Sequence, residues 1–78
     1  MRIRLRYFAG LRERRGRTDE QLDVAPGTTA GALYRALFPS GPEGALPVLY
    51  AINQSYATAD TALEDGDELV FVPPLGGG

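Results

Sequence analysis

One amphipathic helix among short strand-like runs is the feature that most restricts what this chain can become. Ala30, Leu33, Tyr34, Leu37 and Phe38 recur at the i, i+3, i+4 spacing that lays a single apolar stripe along a helix. Thr28 or Thr29 offers the hydroxyl of an N-cap, and Pro39 stops the helix because it has no N–H to donate. Gly31 inside it costs up to about 1 kcal/mol relative to alanine. A lone stripe cannot bury itself, and 78 residues leave room for one sheet to cover it. A domain this small buries only about 60 to 65% of its unfolded surface, so Tyr34 and Phe38 read as core rather than as a cofactor box.

The strands follow from period-two alternation. Arg2 to Phe8 places Ile3, Leu5 and Tyr7 on one face and Arg2, Arg4 and Arg6 on the other, with Phe8 in register with the arginines. That large ring on the outer side is either covered by Leu11 or part of a partner surface. Leu11 to Arg15 reads as a brief helical turn capped by Gly16, and Gln21 to Val24 as a second strand closed by Pro26-Gly27. Val48 to Asn53 is an apolar run of strand length, and Tyr56 to Thr58 a short strand after it. Thr61 to Glu64 is expected to form one helical turn, and Glu68 to Val72 is the last strand. Between them Asp65, Asp67 and Glu68 lie close enough to hold a hard cation, but the EF-hand pattern lacks its other ligands, and Asp-Gly favours a turn.

Composition removes most enzyme classes. The chain has no cysteine and no histidine, which excludes a thiol nucleophile, a thiolate metal site, a Ser-His-Asp triad and a histidine general base from its own side chains. Net charge is −2, with all eight basic residues arginine and seven of them between Arg2 and Arg17. The acidic balance and the lack of interleaved aromatics argue against nucleic acid as a partner. No apolar run approaches the roughly 20 residues of a membrane span and no signal-peptide pattern is present, so a cytoplasmic protein without a membrane partner is expected.

What remains is the end of the chain, where Phe71-Val72-Pro73-Pro74-Leu75-Gly76-Gly77-Gly78 passes from strand through two prolines into glycines. Such a tail has nothing to pack, and a frayed end or a cloning scar is the plain reading of it taken alone. The prolines fix φ and restrict the residues before them, so the exit from the strand stays extended. The glycines carry no Cβ and leave the last residues without side chains to pack. Residues 1–72 thus form the domain and 73–78 an extended tail.

Over almost its whole length the chain resembles the small, sulfur-carrying subunits of molybdopterin synthase. The matching residues are Arg6-Tyr7-Phe8-Ala9 with Leu11-Arg12-Glu13, Ala51-Ile52-Asn53-Gln54, and Leu63-Glu64-Asp65-Gly66-Asp67-Glu68 leading into Phe71 to Gly78. The resemblance implies an α+β, ubiquitin-like β-grasp fold: a mixed sheet of about five strands around one main helix, with short helical turns and the first and last strands parallel neighbours. It implies that an activating enzyme related to those of ubiquitin uses ATP to adenylate the Gly78 carboxylate. A sulfur donor protein then converts it to a thiocarboxylate, with Gly76 and Gly77 threading the site. No cofactor is held permanently, and catalytic side chains belong to a large subunit in a heterotetramer. The docking patch implied is Phe8, Tyr56 and Val72, continued by Pro73, Pro74 and Leu75, with Arg12 at its rim. Tyr56 stands where the family often carries an aliphatic residue, and three glycines replace the usual two. Sulfur carriage for thiamine, cysteine or transfer-RNA thiolation, ubiquitin-like modification of lysines, and a β-grasp interaction module with an inert tail are the alternatives.

Overall fold

A computed structural model describes residues 1–7, 16–38 and 48–72. The elements in chain order are β1 (Arg2–Tyr7), β2 (Asp19–Asp23), α1 (Ala30–Leu37), β3 (Leu49–Ile52), β4 (Ser55–Ala57) and β5 (Glu68–Val72). The strands form one sheet in the order β2-β1-β5-β3-β4. β5 lies in the middle, parallel to β1 with Tyr7 beside Phe71, and antiparallel to β3 with Tyr50 opposite Phe71. This is the β-grasp arrangement the sequence leads one to expect.

Helix α1 forms where its stripe and caps coincide. Thr29 is the N-cap, its hydroxyl accepting from the Ala32 amide at 3.2 Å, and the Phe38 amide closes the last turn on the Tyr34 carbonyl at 2.9 Å. Ala30, Leu33, Tyr34 and Phe38 are buried while Arg35 and Ala36 face solvent. Against them the sheet sets Ile3, Leu5, Tyr7, Leu69 and Phe71, each at most 1% exposed. Burial of each such side chain contributes about 1.5–3 kcal/mol before the entropy of ordering it is subtracted.

The helical glycine has a structural reason. The Gly31 amide donates to the Ala59 carbonyl at 2.9 Å, and a Cβ built on Gly31 would stand 2.7 Å from the Ala59 Cβ. The first turn of α1 therefore touches the chain after β4 at a distance only glycine allows.

Two expectations need correction. β2 begins at Asp19 rather than Gln21 and ends at Asp23, with Val24 still joined to Met1 by two backbone hydrogen bonds. The early start comes from an inward-facing acid: the Glu20 side chain is 6% exposed and accepts from the Tyr7 hydroxyl at 2.8 Å. Hydropathy alternation does not count a carboxylate as an inner residue. The segment Thr61 to Glu64 is extended rather than helical. Ala62 bridges Thr29, the Leu63 amide donates to the Thr28 carbonyl at 2.9 Å, and the Leu63 side chain is buried. An amide bound to Thr28 cannot serve an i−4 carbonyl, so pairing across the helix entry displaces the turn. Among the described residues α1 is the one helix, and it is too short to cross a membrane. The expected turn at Leu11 to Arg15 lies outside the described residues, as does Pro39.

Candidate functional site

β5 holds the final described residue, Val72, and the molecule fixes this strand from three directions. Phe71 is fully buried, with ring centroids of Tyr34 at 5.1 Å, Tyr50 at 6.0 Å, Phe38 at 6.1 Å and Tyr7 at 6.3 Å around it. Three of those four contacts are edge-on, the geometry that aromatic quadrupoles favour. Backbone ladders hold both sides of the strand, from β1 and from β3.

Its start is set by the acidic turn. Glu64 to Asp67 closes with the Asp67 amide on the Glu64 carbonyl at 3.0 Å, and Gly66 at φ 87° takes a conformation that glycine occupies without steric cost. Asp67, 8% exposed, accepts the Glu64 amide at 2.7 Å on one oxygen and the Asn53 side-chain amide at 2.9 Å on the other. Asn53 in turn accepts the Glu68 amide at 3.0 Å, which ties the β3–β4 hairpin to the first residue of β5. Asn53 and Gln54 both have positive φ, as a two-residue hairpin matching the twist of its strands demands. The Arg2 amide donates to Asp65 at 2.7 Å, and the Gly66 amide to the Arg2 carbonyl at 2.8 Å. Both Asp67 oxygens accept from N–H donors, and the cluster forms the turn that leads into β5.

The outer sheet face divides into two halves. On β1 and β2 it is charged: Arg2 pairs with Asp23 at 3.3 Å and Arg4 with Asp19 at 3.5 Å. Past Glu68, which stands beside Arg4, the part on β5, β3 and β4 is apolar. Val72 stands opposite Leu49, and Val70 shares a row with Ala51 and Tyr56. Tyr56 is 77% exposed and Leu49 44%, the two large apolar side chains most open to solvent among the described residues. A groove of about 280 Å³ lined by Arg2, Ile3, Arg4, Gln21, Asp65 and Gly66 lies at the charged end, away from this patch.

Of the residues picked out from the sequence, the structure brings Val72 and Tyr56 to one face. Phe8, Arg12, Pro73, Pro74, Leu75, Gly76, Gly77 and Gly78 lie outside the described residues. Leu49 and Ala51 belong to the same face and were not singled out. Their run, Val48 to Ile52, is apolar throughout, and only the pairing with β5 tells which residues point outward. The patch offers contact area and no reactive group.

Comparison with known proteins gives the following. The family model described as the ThiS family matches residues 5–78. The molybdopterin synthase sulfur carrier subunit of Mycobacterium tuberculosis (strain ATCC 25618 / H37Rv) is 34% identical over 82 residues, an alignment covering 100% of this chain and 99% of that one. Among solved structures, H. volcanii small archaeal modifier protein 1 superimposes with a TM-score of 0.79 at 27% identity, covering 95% of this chain and 98% of the other. Subunit 1 or 2 in the complex of the two subunits of molybdopterin-converting factor from Helicobacter pylori 26695 gives a TM-score of 0.63 at 22% identity, with all of both chains covered. That last likeness is one of fold.

Proposed function

The chain belongs to the ThiS family, and from that premise we propose that it works as the sulfur carrier subunit of a molybdopterin synthase. The observation that carries the proposal is the end-to-end match to a relative of that name. The chemistry sits on the main-chain carboxylate of Gly78. A carboxylate is a poor electrophile, and transfer of AMP from ATP by a partner adenylyltransferase gives an acyl-adenylate with a good leaving group. A sulfur nucleophile at the oxidation level of sulfide, delivered by a donor protein, forms the C–S bond as the C–O bond to AMP breaks. The product is a terminal thiocarboxylate. Its sulfur bonds to a carbon of the pterin precursor, water then cleaves the acyl C–S bond to leave the sulfur on the pterin and restore the Gly78 carboxylate, and a dithiolene requires two such transfers.

The division of labour fits the residue inventory. The absence of histidine and cysteine from the chain is consistent with the resemblance, by which the catalytic side chains belong to the large subunit of a cytoplasmic heterotetramer. This chain contributes the fixed strand β5, the apolar patch of Val72, Leu49, Val70 and Tyr56 for docking, and a tail of Pro73, Pro74, Leu75, Gly76, Gly77 and Gly78 that reaches into the partner's site. Phe8 and Arg12 extend the docking surface. The test is incubation with the activating enzyme, ATP and a sulfur source, followed by intact-mass measurement. Exchange of one terminal oxygen for sulfur is expected, and an unchanged mass would overturn the assignment. Reconstitution with the large subunit and the pterin precursor then identifies the acceptor.

The structural likeness to an archaeal modifier protein favours one second reading, in which the activated tail is joined to lysines of other proteins. Isopeptide-linked adducts in a lysate supplied with ATP and activating enzyme, with no sulfur incorporated, would support it over the first.

A further inference from the structure

The outer face of β1 carries three arginines, and the sheet register shares out their partners unevenly. Arg2 stands opposite Asp23, Arg4 opposite Gln21 and Arg6 opposite Asp19. Arg2 pairs straight across, at 3.3 Å. Arg4 faces an uncharged residue and reaches diagonally to Asp19, at 3.5 Å. Asp19 is the residue opposite Arg6, so its carboxylate is drawn away. Arg6 is exposed and has no ion-pair partner among the described residues.

On the β5 side Arg4 stands beside Glu68, whereas Arg6 stands beside Val70. It is therefore the last cation of the charged half and the immediate neighbour of the apolar half, where Val70, Val72, Leu49, Ala51 and Tyr56 lie. A surface that covers this patch ends beside the guanidinium, at a rim still open to solvent. An acid there gains a charge-assisted, two-pronged hydrogen bond that salt screens, whereas a partner lacking one leaves the cation unmatched.

We propose that Arg6 is a specificity-determining contact of the docking face, meeting a carboxylate at the rim of an apolar surface on the large subunit of the synthase. This rests on the sulfur-carrier reading. Arg2 and Arg4, neutralised by Asp23 and Asp19, take no part in partner choice. The contact acts on selection of the partner and on the rate of encounter more than on the depth of binding, because rim charges steer association.

The experiment is calorimetric titration of the full chain with the large subunit of the same organism, at about 50 mM and about 1 M salt, which spans Debye lengths from more than 10 Å down to about 3 Å. At low salt Arg6→Gln should weaken binding about threefold and Arg6→Glu about tenfold, with Arg2→Gln within about twofold of wild type. At high salt the three variants should converge on wild type. Melting temperatures report that the fold is intact. Wild-type binding with undiminished affinity for Arg6→Glu overturns the Arg6 contact alone, as does a loss that salt fails to erase. A wild-type chain that binds no large subunit at either salt, or that dimerises through this face instead, overturns the sulfur-carrier reading and the contact with it.

Discussion

Phe71 does the most to hold the reactive end of the chain in place. It is buried among four rings and is the residue before Val72, so the position of the tail's root depends on it. Phe71→Ala should cost about 3–5 kcal/mol of unfolding free energy, checked by urea denaturation. Tyr56 is the opposite case. At 77% exposed it contributes little to the core, so Tyr56→Ala should leave stability within about 0.5 kcal/mol of wild type. It should still weaken binding to the large subunit by about 1–2 kcal/mol, since aromatic side chains dominate interface energetics. Calorimetry and thermal melting on the same sample separate the two effects. An unchanged affinity would remove Tyr56 from the patch.

Elements whose signal is periodic are the ones readable from sequence. β1 and α1 each carry a clear period, of two and of 3.6, and appear with the inner and outer faces that period demands, whereas β5 is legible as an apolar run of strand length. β2 and the segment Thr61 to Glu64 are set by partners instead: Glu20 is drawn inward by the Tyr7 hydroxyl, and Leu63 is held extended by the Thr28 carbonyl. Neither partner is near in sequence. The site divides in the same way. Alternation sets Val72 on the face opposite Leu69 and Phe71 without telling which face is outer, family resemblance supplies Tyr56, and Leu49 emerges only from its register with Val72. Gly31 is the sharpest case, because helix propensity says that alanine there should stabilise by about 1 kcal/mol. The 2.7 Å approach to Ala59 says otherwise, and Gly31→Ala should destabilise by about 1–3 kcal/mol in thermal or chemical unfolding. Adding Ala59→Gly to the same chain should recover part of that loss.

Across the molecule, stability and chemistry are held apart. Among the described residues the buried cluster closes with Phe71, and the reaction is assigned to Gly78. Deletion of Gly77 and Gly78 should therefore abolish thiocarboxylate formation, read by intact mass, while leaving the far-UV circular dichroism spectrum and melting temperature unchanged. Retained sulfur loading would place the reactive group elsewhere.

The parallel pairing of β1 with β5 also decides where a reporter can be attached. Arg4 lies beside Glu68 and Tyr7 beside Phe71, so the chain enters the sheet at the end far from Val72, about 20 Å away along the strand. The sequence has no lysine, so no side chain in it carries a primary amine. A single lysine introduced at the exposed Arg2 (Arg2→Lys) thus gives an amine-reactive fluorophore a known position at the end of β1 far from Val72, from which it follows loading and discharge.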